Sequence, residues 1–102
     1  MAFQHRGFVM LAIRIATSNP DMEHERDQHM KGHRHHLRSA TFKIVLSGPV
    51  FDKFGSQNGA VVLAEVDDLV ELQTFSDSDP FVVHGVYREV TISRWSATID
   101  NR

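Results

Sequence analysis

Seven of the chain's 102 residues are histidine, and five of those lie between His24 and His36. Histidine ordinarily titrates near about pH 6.5, so it can carry protons at neutral pH, and it is also a common metal ligand. Two chemistries are therefore open: proton transfer by one histidine held beside a carboxylate, or metal binding by several. His29, His33 and His36 could share an ion on one helical face, but a His-Glu-x-x-His pattern is missing and no metal site is expected. Other reactive groups are scarce. With no cysteine there is no thiolate nucleophile, no disulfide framework and no cysteine-ligated zinc or iron–sulfur centre. There is no glycine-rich phosphate loop and no Gly-x-Ser-x-Gly elbow. Eleven basic against thirteen acidic side chains leave a net charge of −2, with no basic excess for a nucleic-acid backbone.

The elements that must position these histidines follow from apolar patterning. Phe8 to Ile15 reads as a strand covered on both faces, because it is almost continuously hydrophobic. Asn19-Pro20 suits a helix start, and the first helix is expected from about Asp21 to Ser39, acidic in its first half and basic in its second. Its apolar stripe is thin. Met22, Met30, Leu37 and Ala40 recur at helical spacing, with Arg26, His29 and His33 in the same stripe, so these three must turn inward if the helix packs at all. His24, His35 and His36 fall off the stripe and are expected in solvent; His84 and His5 carry no assigned role.

Thr41 to Leu46 reads as a second strand ended by Ser47-Gly48-Pro49, and Ala60 to Val66 as a third, joined to it through a loop whose turn signal is Asn58-Gly59. Asp67 is the expected cap of a second helix with Leu69, Val70, Leu72 and Phe75 on its apolar face. Asp79 caps a further short turn that opens at Pro80, runs through Val83 and closes at Gly85. Val86 to Trp95 is the last strand, with Val86, Val90 and Ile92 on one side and Tyr87, Thr91 and Trp95 on the other.

The order strand, helix, two strands, helix, strand predicts one α+β domain of the ferredoxin-like βαββαβ type, spanning 1–102 with its core at about 8–95. Both helices then cover one face of a four-stranded antiparallel sheet. The other face is too apolar to stay wet, which predicts a sheet-to-sheet homodimer; at about 25 cal/mol per Å², several hundred Å² of apolar burial favours association by several kcal/mol before rigid-body costs. Arg14 interrupts the N-terminal apolar run before it reaches the length of a secretion signal, and no run suits a membrane span of about 18 residues or more. A soluble cytoplasmic protein without a membrane partner is the expectation.

The same order of elements carries His33-Arg34-His35-His36-Leu37, Val45-Leu46-Ser47-Gly48-Pro49, Asp79-Pro80-Phe81, Gly85-Val86-Tyr87 and Ile92-Ser93-Arg94-Trp95. In these segments, from about Phe8 to Trp95, the chain resembles the YciI-like (YCII-related) family. The resemblance implies a dimeric α/β-barrel and a His–Asp pair between the first helix and the Asp-Pro motif. Most members have no assigned reaction; one branch is associated with dehydrochlorination of a chlorinated aromatic intermediate. Counting back from Gly48-Pro49, His33 matches the family histidine and Asp79 its aspartate. Members often carry an arginine three residues before that histidine, where this chain has Met30. A second registration therefore matches Arg26-Asp27-Gln28-His29 to the motif and makes His29 the alternative.

Two functions remain. One is a small enzyme needing no cofactor, in which His33 moves a proton on a small organic molecule, Asp79 orients the ring, and elimination or isomerisation follows. Arg26, Ser47, Gly48 and Pro49 are then the candidate ligand contacts. The other is a non-catalytic dimeric module that uses the same cavity to bind a small ligand or to support a partner protein.

Overall fold

The computed structural model describes residues 9–102. Four strands, β1 (Met10–Ser18), β2 (Lys43–Phe51), β3 (Gln57–Val66) and β4 (Tyr87–Arg94), form one antiparallel sheet in the order β2-β3-β1-β4. Three helices, α1 (Glu23–Arg38), α2 (Leu69–Asp77) and the short α3 (Pro80–Val83), complete the βαββαβ order, and a 3-10 turn at Pro20–Met22 leads into α1. Among the described residues no helix is long and apolar enough to cross a membrane.

The sheet is built outward from its centre. β1 lies between β3 and β4, with Met10 opposite Val66, Thr17 opposite Gly59, and Arg14 opposite both Val62 and Ile92. Ala12, Arg14, Ala16 and Ser18 are buried on its helix-facing side, while Ile15 on the other side is 46% exposed. Phe8 falls outside the described residues, and the observed strand runs three residues past the expected end at Ile15. It is covered on one face only within a single chain. The near-continuous apolar run reflects two different surfaces, one against helices and one open. Ile13, Val61 and Leu63 continue the open surface, together with the exposed Leu46, Val50 and Trp95.

β2 corrects the expectation that Ser47-Gly48-Pro49 ends a strand. The strand starts at Lys43, not Thr41, and runs through all three to Phe51. It pairs only with β3, and on an edge strand a proline's missing N–H need not cost a ladder bond. Register shifts between Ile44 and Leu46 and between Val50 and Phe51 absorb the irregularity. The hairpin turn is also displaced. Asp52 accepts from Phe54 N–H and Ser56 N–H through Oδ1, and Gly55 takes φ +86°. Asn58-Gly59 lies inside β3 instead, and Gly59 serves a close approach: a Cβ there would stand 2.3 Å from the carbonyl oxygen of Ala16.

The helices follow their caps. Asn19 caps the 3-10 turn at Asp21 N–H. α2 is capped by Asp68, which accepts from Glu71 N–H, and not by Asp67. Val70 points to solvent at 68% exposure, so the buried face of α2 rests on Leu72 with Leu69 and Phe75 beside it. α3 follows the Asp-Pro expectation, with Asp79 as cap and Gly85 at φ +73° behind it. In β4 an irregularity between Thr17 and Ser18 puts Tyr87 opposite Ser18 on the helix side, in one cluster with Ala16, Phe81 and Val86. A strict two-residue alternation had set Tyr87 and Val90 on opposite faces. A second cluster, with Ala12, Val62, Ala64, Val66 and Leu72, fills the other end of the interlayer space.

Because the atom in the way of a Gly59 side chain is backbone, it cannot rotate aside. Gly59→Ala is expected to lower unfolding stability by about 1–3 kcal/mol, read as a fall in the urea midpoint; an unchanged midpoint contradicts this account of the β1–β3 contact.

Candidate active site

Three elements bring charged side chains to one buried point. Asp79 is 0% exposed. Its Oδ1 accepts from Phe81 N–H at 2.9 Å, which is the α3 cap, and also bonds His33 Nδ1 at 2.7 Å. Its Oδ2 accepts from Arg14 Nη1 at 3.0 Å, and the same nitrogen donates to Ser76 Oγ at 3.3 Å. Burial by itself would raise the Asp79 carboxyl's pKa, but hydrogen bonds from His33 and Phe81 N–H, with the positive charge of His33 and Arg14, outweigh it and hold the group below the usual carboxylate range. An ionised carboxylate only accepts, so the bridging proton belongs to His33 Nδ1 and Nε2 is left with the lone pair when the ring is neutral.

Packing fixes the imidazole further. His33 stacks on Phe81 with ring centroids 4.0 Å apart and planes 3° from parallel, and the edge of Tyr87 meets it at 6.0 Å. Burial raises the Tyr87 phenol's pKa despite the opposing charges of Arg14 and Arg26, so at neutral pH it is a neutral hydroxyl.

A cavity of about 190 Å³ opens beside His33, walled by Phe81, Tyr87 and the helix-facing side of β2 and β3. Arg14 and Arg26 both line it. Arg26, 8% exposed, donates through Nη2 to Ser18 Oγ, lies 3.6 Å from Glu23 Oε1 through Nε, and sits over the Phe81 ring. Arg14 Nε and Nη2 and Arg26 Nη1 are buried and find no hydrogen-bond partner among the described residues.

His33 and Asp79 are bonded to each other, and Arg26, Ser47, Gly48 and Pro49 line the cavity with His33. His29 faces elsewhere: its ring stacks on His84 at 3.7 Å. His36, expected in solvent, is half-buried, bonds the Phe75 carbonyl through Nε2 at 2.7 Å and stacks on the Phe75 ring. His24 and His35 are exposed, and His5 lies outside the described residues. The three histidines weighed as a metal group thus serve three separate contacts, and no cluster of three potential ligands occurs among the described residues. Arg14 was missed as a site residue. Arg14's signal was available: a charge at a helix-facing position of a central strand needs a buried counter-charge.

A four-stranded antiparallel sheet in βαββαβ order, with its helices on one face, defines the ferredoxin-like class of α+β fold. Solved structures agree on that class. The chain superposes on a 5-chloro-2-hydroxyhydroquinone dehydrochlorinase from Burkholderia phenoliruptrix, solved with 2,5-dihydroxybenzoquinone, at TM-score 0.74 and 22% identity, covering 85% of this chain and 94% of that one. An antibiotic biosynthesis monooxygenase gives TM-score 0.55 at 14% identity, covering 88% and 99%. A NIPSNAP-like domain protein from Burkholderia xenovorans gives 0.52 at 14%, covering 93% and 90%. No curated protein matches the sequence. The family model of the YCII-related domain matches residues 10–96, and the chain belongs to that family.

The Asp79 carboxyl links this site to stability. Its folded pKa lies below the unfolded value of about 3.9, so the unfolded chain binds more protons in acid; the stabilisation is whole above about pH 5 and is lost as pH falls through the folded pKa. Asp79→Asn is expected to cost about 3–5 kcal/mol at pH 7 by leaving Arg14 buried and unpaired. It should also flatten the loss of stability on acidification, measured by urea unfolding at several pH values. Parallel pH profiles for the two proteins contradict the assignment.

Proposed function

We propose that the chain is a small enzyme without a cofactor that removes a proton from a carbon of a compact organic molecule and carries out elimination or isomerisation. The observation that carries this reading is the 2.7 Å bond between His33 Nδ1 and the buried Asp79, beside a cavity that His33 itself lines. Asp79 holds the ring with Nε2 unprotonated and stabilises the imidazolium formed when Nε2 takes the proton. The electrons of the broken C–H bond then form a carbon–carbon double bond. In an elimination a leaving group departs from the adjacent carbon with its bonding pair; in an isomerisation a double bond already on the adjacent carbon gives up its π pair to the next carbon, which takes the proton back from Nε2. Ser47 and Pro49 shape the wall opposite α1, with Gly48 between them, and Tyr87 offers a neutral hydroxyl. The dehydrochlorinase named above acts on a chlorinated hydroxyhydroquinone, which makes small hydroxylated or carbonyl-bearing rings the first compounds to try.

The expected result in a panel of such compounds, followed by NMR in deuterium oxide, is enzyme-dependent C–H exchange or elimination. His33→Gln should lower kcat/KM by about 10²–10⁴ while the fold is retained. Equal rates for His33→Gln and wild type contradict the role, and saturable binding with no exchange in any compound would make the cavity a ligand-binding module.

The functional unit proposed is a homodimer joined through the open sheet face. Ile15, Leu46, Val50 and Trp95 are 46%, 67%, 40% and 44% exposed on one chain, an apolar surface that a second copy would cover. Sedimentation is expected to give twice the chain mass of 11.6 kDa, and Ile15→Glu combined with Leu46→Glu to give the single-chain mass. A wild-type monomer at micromolar concentration contradicts the dimer.

A further inference from the structure

We infer that the cavity recognises an organic carboxylate, through the paired guanidinium groups of Arg14 and Arg26. This deepens the proposed function by naming the substrate class and rests on the reading that this cavity is the ligand site; it does not depend on proton transfer.

Charge around the cavity is unbalanced. The buried charged side chains around the cavity are two arginines and one carboxylate, Asp79. Asp79 Oδ2 is taken by Arg14, and its Oδ1 by His33 and the Phe81 amide. Among the described residues Arg26 forms an ion pair with Glu23, which is 75% exposed at a 3.6 Å separation and therefore well screened by water. Arg34, on the cavity's rim, is exposed and adds to the positive potential. The interior thus carries one cation more than it carries anions, a costly state that an anionic occupant relieves.

Hydrogen bonding points the same way. Arg14 uses Nη1 for Asp79 and Ser76, which leaves Nε and Nη2 with no acceptor. These two nitrogens form one edge of the planar fork, whose parallel N–H bonds match the two oxygens of a carboxylate. Arg26 adds Nη1 as a third unpartnered donor. Donors left without acceptors in a protein interior call for one, and both side chains line the cavity.

The remaining walls choose among anions. Met30, Leu37, Val62, Phe81 and Tyr87 surround the space, so an inorganic oxyanion would leave most of the lining unmatched. A carboxylate on a flat apolar body satisfies both parts of the surface within about 190 Å³.

Isothermal titration calorimetry on the full chain tests this with three probes: benzoate, its neutral isostere benzamide, and inorganic phosphate. Benzoate is expected to bind at least about tenfold more tightly than either of the others. Arg26→Leu should reduce benzoate to the benzamide level, whereas Arg26→Lys, which keeps the charge but loses the Nη1 donor, should fall between. Equal affinity for benzoate and benzamide, phosphate binding as tightly as benzoate, or no measurable benzoate binding overturns the inference without recourse to any variant. Benzoate binding in a protein that exchanges no C–H proton would end the catalytic reading and leave this one standing; turnover of neutral compounds with no carboxylate preference would do the reverse.

Discussion

A carboxylate with no solvent exposure must be compensated or protonated, and the placement of Asp79 organises the rest of the site. It is compensated from three directions: the α3 amide at Phe81, His33 on α1, and Arg14 on β1. Each contact has a separate structural use. The amide bond closes the α3 cap, the histidine bond fixes a ring, and the arginine bond joins the helical layer to the central strand. A polar core of this kind contributes less to net stability than an apolar one of the same volume, because desolvation offsets much of the attraction. Its value lies in holding a single arrangement of donors next to a cavity.

The architecture serves that arrangement. β1 is central, so a side chain on its helix-facing side is enclosed by the sheet below and the helices above. α1 crosses over that region and delivers His33 and Arg26, which lie two turns apart on its buried face. Gly85 takes a positive φ behind α3, turning the chain into β4 and bringing Tyr87 back under the same cavity. The edge strand β2 supplies the remaining wall, and its continuation through Pro49 gives the cavity its length.

Much of this was legible in the sequence, for local reasons. Asp79-Pro80 is a helix start whose geometry depends on adjacent residues alone, and the apolar stripe of α1 identified His33 as inward-facing despite the helix's polar composition. The fold class followed from element order. What escaped was non-local. Arg14 looked like the residue that interrupts an apolar run, since its partners Ser76 and Asp79 are 62 and 65 positions away. Tyr87 was set on the wrong face because one irregularity in pairing reverses the alternation that follows. A proline ends most strands, but Pro49 does not end β2, which lies at the edge of the sheet. His36 shares the α1 face toward Phe75 on α2, a contact set by helix packing.

Everything at this site depends on Asp79 holding the neutral His33 ring with its proton on Nδ1, which leaves the lone pair on Nε2. Two-bond nitrogen–proton NMR of the histidine rings at alkaline pH tests it directly. The expected result is an Nδ1-protonated tautomer for His33 with a strongly downfield ring proton, both lost in Asp79→Asn. An Nε2-protonated ring at His33, or a spectrum unaffected by Asp79→Asn, contradicts it.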